Sequence, residues 1–163
     1  MVSTPDPITV RGRYWRVLAP RWAHAPLSGE GAARHGGRWN PRGTQALYMS
    51  ADLTTAVAEY EQDLGCRPGT FVAYDVAVDG VVDLRGTAIV MEPWKTILLV
   101  ERQIPAGWTM AGTMIAQGVT GILVSSAQRR GGTNLVLWQW NDRTVTALDP
   151  RTDLPRDQAS WGV

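Results

Sequence analysis

The chain has 163 residues, 44% of them hydrophobic and 19% charged, so we expect one globular domain with its own core rather than a disordered chain. Sixteen basic and fifteen acidic side chains leave a net charge of +1, which disfavours nucleic-acid binding because that function usually needs a clear basic excess. The single cysteine, Cys66, excludes an internal disulfide and a cysteine-built zinc site.

The first ten residues, MVSTPDPITV, lack the basic and apolar regions of a secretory signal. No apolar run approaches the roughly 18 residues that a membrane-spanning helix needs. We therefore expect a cytoplasmic protein without a membrane association. The predicted organisation is a lead-in over residues 1–10, one domain over 11–150 and a polar tail over 151–163.

The first half of the chain predicts two strands and one helix. They are a strand over 11–18, a long irregular loop over 19–37, a strand over 45–50 and a helix over 53–64. Aromatic and β-branched residues favour the strands, whereas glycines, prolines and small residues favour the loop. Ser50 or Asp52 is the expected N-cap of the helix, and Gly65 is expected to end it.

The second half is richer in strands. Strands are predicted over 71–78 and 81–84 around an Asp79-Gly80 turn, followed by a segment over 93–101 that fits a helix or a strand and by a helix over 109–118. A buried strand over 121–125, a turn over 129–132 and a strand over 135–140 come next, and residues 144–148 are expected to pair with the last of these strands. The class predicted from this order is α+β, with a compact mixed or largely antiparallel sheet and a few helices.

Arg38 lies in the pentapeptide GGRWN, residues 36–40. Two preceding glycines let a backbone approach a ligand closely, and an arginine fork matches a pair of phosphate oxygens. The alternative is a glycine-rich turn with a surface arginine. No phosphate-binding loop of the GxxxxGK[ST] or GxGxxG kind accompanies it.

Tyr48 lies on the predicted strand over 45–50, and Glu59 lies on the predicted helix over 53–64. Tyr48 can stack on a flat ring or donate a hydrogen bond, or simply be half-buried in the core. Glu59 borders the apolar stripe of its helix, where a carboxylate needs partners or a function. Glu61 lies on a more solvated side and is interpreted as a surface residue.

Two further positions are candidates with ordinary structural alternatives. Arg16 follows an aromatic pair in the first strand, and supplies a second cation for a diphosphate or is an exposed strand arginine. Ser126 comes directly after the apolar strand, and faces a cleft or caps the next turn. His24 and His35 lie in the long loop without metal-ligand spacing, and we assign them no role.

In combination these residues resemble the RES domain, a family of bacterial toxins from toxin–antitoxin pairs that is named for its Arg, Glu and Ser positions. Arg16, the segment GEGAARHGGRWNPRGTQALYMS, the helical Glu59, and Ser126 in LVSSA followed by Asn134 occur in the family's order. The resemblance runs from about Tyr14 to Asn134. Family members often have a proline before the serine, where this chain has Ser125, so the family serine is Ser125 or Ser126.

The resemblance implies a fold like that of ADP-ribosyltransferase toxins and an activity that degrades NAD by hydrolysis or phosphorolysis. NAD is then a substrate rather than a cofactor, and no metal is implied. The implied site residues are Arg16 and Arg38 at the diphosphate and ribose, Tyr48 against the nicotinamide, Glu59 at the nicotinamide ribose, Ser126 beside it, and Gly37 and Asn134 in substrate binding.

The resemblance also implies a partner, a cognate antitoxin with an Xre-like region, and allows a homodimer within that complex. Tryptophans suited to such an interface, or equally to the core, are Trp22, Trp138, Trp140 and Trp161. Two other functions stay open at this point. One is ADP-ribosyl transfer to a cellular protein, and the other is a non-catalytic nucleotide-binding module.

Overall fold

The computed structural model describes residues 4–62, 65–87 and 91–158. The strands are β1 (Ile8–Leu18), β2 (Leu47–Ser50), β3 (Thr70–Asp83), β4 (Gly121–Ser125), β5 (Thr133–Leu137) and β6 (Val145–Leu148), and the α-helices are α1 (Glu30–His35), α2 (Leu53–Glu61), α3 (Trp94–Leu99) and α4 (Ala106–Ala116). The α+β class predicted from the sequence is confirmed.

The six strands form one sheet in the order β1-β2-β5-β4-β3-β6, and β1 also pairs with β3. That additional pairing runs from Ile8↔Val81 to Leu18↔Thr70, so five strands close into a ring. β3 and β4 are parallel, and the other strand pairs are antiparallel. The predicted mixed sheet is therefore present, in a strongly curved form.

Alternating residues of the strands divide the core into two clusters. On one face, Leu123 and Leu135 pack with buried residues of β1 and β3. On the other face, Ile122 and Val136 pack against Met114 of α4. This alternation follows from the two-residue period of a strand, which sends neighbouring side chains to opposite faces.

The region predicted as one irregular loop, 19–37, contains a 3-10 helix (Pro20–Trp22) and helix α1. Helix-forming alanines and an Arg34–Glu30 ion pair favour α1, and Gly36 ends it with φ +73°. Helix α2 is capped by Asp52, one of the two predicted caps, and ends at Glu61. Positions 63 and 64 of the predicted helix lie outside the described residues.

The predicted turn at Asp79-Gly80 is wrong, because β3 runs continuously through it. Gly80 has φ +80°, and the register with β1 shifts beside it, so the glycine forms a bulge instead of a turn. The predicted pairing of residues 144–148 with the preceding strand is also wrong. Both edges of β5 are occupied, by β2 and β4, and β6 pairs with β3.

The remaining differences concern element ends. The ambiguous segment 93–101 contains α3, and the helix predicted over 109–118 begins three residues earlier, after Pro105. The strand predicted over 135–140 is Thr133–Leu137, and β1 begins at Ile8, inside the predicted lead-in. The buried strand over 121–125 has the predicted bounds.

Candidate active site

A cleft with two lobes lies where α2 packs against β1 and β2. The first lobe, about 280 Å³, lies beside Arg38 and α3, and the second, about 240 Å³, lies beside Arg16 of β1. Both lobes are lined by Tyr48, Glu59, Gln62 and Asn134. The lobes therefore meet at Glu59 rather than forming two separate sites.

The Glu59 carboxylate is held through one of its two oxygens. Oε1 accepts hydrogen bonds from the Ser126 hydroxyl and from Asn134 Nδ2, each at 2.6 Å. Within the described part of the chain no residue hydrogen-bonds Oε2. One oxygen is thus fixed by the protein, and the other is available to a ligand hydroxyl.

Asn134 is itself held by a buried serine. Ser50, which is 3% exposed, donates from its hydroxyl to Asn134 Oδ1 at 2.7 Å. The two residues face each other directly in the β2–β5 register. Because a carboxylate only accepts hydrogen bonds, the amide NH₂ of Asn134 must point toward Glu59, and Ser50 occupies the opposite, carbonyl end.

The GGRWN segment forms a tight turn closed by the bridge between Gly37 and Asn40. Asn40 is fully buried, and its Oδ1 accepts from the Tyr48 hydroxyl at 2.7 Å. The same hydroxyl accepts from Trp39 N at 3.0 Å. A Cβ on Gly37 would lie 2.5 Å from Tyr48 Oη, so glycine is required there for the close approach.

These contacts define what Tyr48 offers to a ligand. Burial raises the pKa of Tyr48, against smaller lowering effects from the Trp39 N–H and the Arg38 charge, so the phenol is neutral at physiological pH. Its donated hydrogen bond goes to Asn40. The ring that lines both lobes is the part of Tyr48 that remains for contact with a bound molecule.

Arg38 leaves this turn toward the first lobe. Its Nη1 donates to the backbone carbonyl of Glu92 at 2.6 Å, just before α3. Trp94 of α3 lines the same lobe. The indole of Trp108 fixes the turn from behind by donating to Gly37 O at 2.7 Å. Arg38 is therefore held by the segment that precedes α3, while Trp108 of α4 fixes the neighbouring Gly37.

The second lobe carries two more arginines. Arg16 donates from Nη1 to Pro26 O at 3.2 Å, and Arg67 stacks on the Tyr60 ring with its guanidinium carbon 4.2 Å from the centroid. Among the described residues that line either lobe, the charged ones are Arg16, Arg38, Arg67 and Glu59. A cleft with this cationic excess is suited to a ligand with several negative charges.

The structure brings the predicted site residues together. Those that line the cleft are Arg16, Gly37, Arg38, Tyr48, Glu59 and Asn134. Of the two adjacent serines, Ser125 lines the first lobe and Ser126 bonds to Glu59. Glu61, interpreted from the sequence as a surface residue, is not among the lining residues of either lobe.

Sequence reasoning missed several residues of this site. They are Asn40, Gln62, Arg67, Trp94 and, beyond its possible capping role, Ser50. A signal was available for two of them. Asn40 is the last residue of GGRWN, and Ser50 is the last residue of the predicted strand over 45–50, just before the helix that carries Glu59. Gln62 and Arg67 follow Glu59 closely in sequence but carry no local pattern that marks them, whereas Trp94 is distant in sequence and only the fold brings it to the cleft.

The tryptophans considered for an interface have different surroundings. Trp138 belongs to the core, being 3% exposed, and its indole donates to Trp39 O. Trp22 and Trp140 are half-buried, and Trp140 donates to Leu27 O at 3.0 Å. Trp161 lies outside the described residues.

Neither a metal site nor a membrane-spanning helix is present in the described part of the chain. Over residues 4–62, 65–87 and 91–158, no group of three or more His, Cys, Asp or Glu side chains is arranged to hold a metal ion. Across the same ranges no helix has the length and apolar character to cross a membrane.

Comparison with known proteins connects this cleft to a family. The sequence profile of the RES domain matches residues 13–157. The fold is similar to a chain in the crystal structure of the M. tuberculosis MbcT–MbcA toxin–antitoxin complex, with a TM-score of 0.57, 22% identity, and coverage of 90% of this chain and 89% of that one. A search of curated proteins by sequence found no significant match. Because the profile spans most of the chain and includes every residue that lines the cleft, the protein belongs to the RES domain family.

Proposed function

We propose that this chain is an NAD-degrading toxin that cleaves the bond between nicotinamide and ribose. The observation that carries the proposal is Glu59, whose Oε1 is held by Ser126 and Asn134 while the carboxylate lines the junction of two arginine-bearing lobes. Membership of the RES domain family and the likeness to a toxin–antitoxin complex support the same function.

The chemistry suits a fixed carboxylate. Nicotinamide leaves as a neutral group from a positively charged pyridinium, and positive charge then develops on the ribose. A carboxylate beside the ribose stabilises that charge and orients a ribose hydroxyl. Because Oε1 already accepts from two donors, Oε2 is the oxygen that we assign to the ribose.

The two-lobed shape supports a dinucleotide. Pockets for ligands of this size usually exceed about 300 Å³, and each lobe alone is smaller than that. A molecule that fills both lobes must pass Glu59, and we place the nicotinamide ribose of NAD at that junction, with the nicotinamide in one lobe and the diphosphate in the other. Arg38 lines one lobe and Arg16 lines the other, and these are the residues that we assign to the diphosphate. Binding the diphosphate mainly positions the substrate and does not itself break the bond.

Nicotinamide release tests the proposal directly. Purified protein is incubated with NAD and the nicotinamide is quantified by chromatography. Glu59→Gln should lower the rate on the order of 10²- to 10³-fold, the usual cost of one electrostatic contact to the transition state. Glu61→Gln is the matched control, since it removes a carboxylate two residues away on the same helix, outside the cleft.

The control should keep the wild-type rate. If the wild-type protein leaves NAD intact with and without phosphate, the proposed activity is wrong. If NAD binds by calorimetry but is never consumed, the non-catalytic nucleotide-binding module replaces it.

The group that accepts the ADP-ribose is decided by products. Free ADP-ribose indicates hydrolysis, its phosphorylated form in phosphate buffer indicates phosphorolysis, and radioactivity transferred from labelled NAD to a protein band indicates ADP-ribosyl transfer. The arginines of the cleft are suited to a small anion, which favours phosphate over a protein side chain as the acceptor.

We further propose that the toxin acts in the cytoplasm and is neutralised by an antitoxin protein with an Xre-like region. The similar solved structure, itself a toxin–antitoxin complex, supports a partner of this kind. Expression of the wild-type chain should arrest growth of a bacterial host, and Glu59→Gln should relieve the arrest. Coexpression with a protein encoded beside this chain should restore growth and give a complex on size exclusion. Arrest by Glu59→Gln equal to that of the wild type would contradict a toxicity based on this site.

A further inference from the structure

The loop over 126–132, which joins β4 to β5, is a compact structure that packs on helix α2. Ser126 N donates to Gly132 O at 2.8 Å, and Gly132 N donates to Arg129 O at 3.0 Å, so the loop is closed by its own backbone. A Cβ on Gly132 would lie 2.7 Å from the Thr55 hydroxyl, which shows how closely the loop approaches the first turn of α2.

One side chain ties this loop to the helix. Arg129 Nη1 donates to the buried Thr55 hydroxyl at 3.1 Å and lies 3.4 Å from both carboxylate oxygens of Asp52. Asp52 is the N-cap of α2, where it accepts from Thr55 N at 2.8 Å. The loop is thus attached at the start of the same helix that carries Glu59 two turns later.

Two backbone N–H groups of this loop determine where the hydroxyl hydrogen of Ser126 points. The Ser126 oxygen accepts from Gln128 N at 3.2 Å and from Arg129 N at 3.0 Å. A serine hydroxyl has two lone pairs and one hydrogen, so these two backbone donors occupy its acceptor capacity. The single hydrogen is left for Glu59 Oε1, 2.6 Å away.

We infer that Arg129 is a positioning residue for the Glu59 carboxylate, acting through the loop backbone and the Ser126 hydroxyl. By holding the loop on α2, Arg129 keeps the Gln128 and Arg129 N–H groups on Ser126, and thereby keeps the Ser126 proton on Glu59. The inference rests on the proposed function, because it assigns a supporting contact to the carboxylate placed at the reaction.

A purely stabilising role is not sufficient to explain this arrangement. The Arg129 and Asp52 side chains are 41% and 46% exposed, and ion pairs in such positions contribute little to global stability because water and salt screen them. The orientation of a group at a reaction centre is far more sensitive, since a displacement of about 1 Å can cost on the order of a hundredfold in rate.

The test compares Arg129→Ala with Arg130→Ala. Arg130 is the neighbouring exposed arginine, and no hydrogen bond or ion pair to another described residue is found for it. Arg129→Ala should lower kcat for NAD cleavage about 10- to 100-fold with KM nearly unchanged. Arg129→Lys, which keeps the charge, should recover part of the loss, and Arg130→Ala should behave as the wild type.

A double variant separates positioning from a general effect. If Arg129 acts through Ser126, adding Arg129→Ala to Ser126→Ala should lower kcat only slightly further, because the contact it supports is already absent. Equal losses in the two backgrounds, or a wild-type kcat for Arg129→Ala, would overturn the inference.

Amide hydrogen exchange tests the same idea without turnover. Exchange at Gln128 and Arg129 should be faster in Arg129→Ala than in Arg130→Ala or the wild type, since their N–H groups bond to Ser126. If the wild type consumes no NAD, the proposed function fails, and exchange alone decides whether Arg129 orders the loop. Unchanged exchange at both amides would overturn that ordering.

Discussion

Asn40 supports the turn that carries Arg38, and replacing it with alanine should destabilise the protein strongly. Its Nδ2 lies 3.0, 3.2 and 2.8 Å from the carbonyl oxygens of Ala32, Pro41 and Thr44. Its Oδ1 accepts from the Tyr48 hydroxyl. An amide has two N–H hydrogens, so the three carbonyls share two of them, and Asn40→Ala removes the equivalent of three hydrogen bonds.

Each buried hydrogen bond contributes roughly 1 kcal/mol, so the free energy of unfolding should fall by about 3 kcal/mol. For a domain of this size, 1 kcal/mol corresponds to roughly 2–4 °C, and the melting temperature should fall by about 6–12 °C. Differential scanning calorimetry measures the shift, with Asn141→Ala as the control. Asn141 is exposed, and its side chain accepts a single local bond from Arg143 N.

The control should melt within a degree or two of the wild type. If Asn40→Ala melted there as well, the buried amide would not hold the turn, and the position of Arg38 could not be attributed to it.

Three further outcomes are expected around the same turn. Gly37→Ala places a Cβ 2.5 Å from Tyr48 Oη and should displace Arg38, which a raised KM for NAD in a steady-state assay would reveal. Trp108→Phe loses the 2.7 Å bond to Gly37 O and should melt about 2–4 °C lower by calorimetry; an unchanged melting temperature would show that this bond is dispensable. Burial raises the pKa of Tyr48 above its ordinary value of 10.0. Above pH 10.0 the tyrosine therefore ionises in the unfolded chain before it ionises in the folded one. The stability that the buried neutral phenol contributes is complete below pH 10.0 and is lost as the pH rises above it. The free energy of unfolding, measured with urea at about pH 9 and about pH 11, should therefore fall less for Tyr48→Phe than for the wild type. Equal losses in the two proteins would refute this role of Tyr48.

The fold class and most strands could be predicted from local pattern, whereas strand partners could not. The apolar run over 121–125 identifies a buried strand because it is almost purely aliphatic. The partner of β6 depends on which edges other strands leave free, and that is a property of the whole sheet. The Asp79-Gly80 pair was misleading because a glycine with positive φ serves a bulge as well as a turn.

For the candidate site, the sequence predicted which residues line the cleft better than how they are held. Glu59 at the edge of an apolar helix stripe indicated a carboxylate with partners. That Ser126 and Asn134 are those partners, and that Ser50 supports Asn134, follows from contacts between residues 67 to 84 positions apart. The choice between Ser125 and Ser126 illustrates the same limit, since only the geometry shows which hydroxyl reaches Glu59.

The most direct test of the proposed role of Glu59 is a crystal structure of Glu59→Gln with NAD, a variant expected to bind the dinucleotide without cleaving it. Intact NAD should extend through both lobes. Its nicotinamide ribose should be hydrogen-bonded to the side chain of residue 59, and its diphosphate should lie beside Arg38 or Arg16. NAD bound elsewhere, or bound in the cleft with its nicotinamide ribose away from residue 59, would contradict that role.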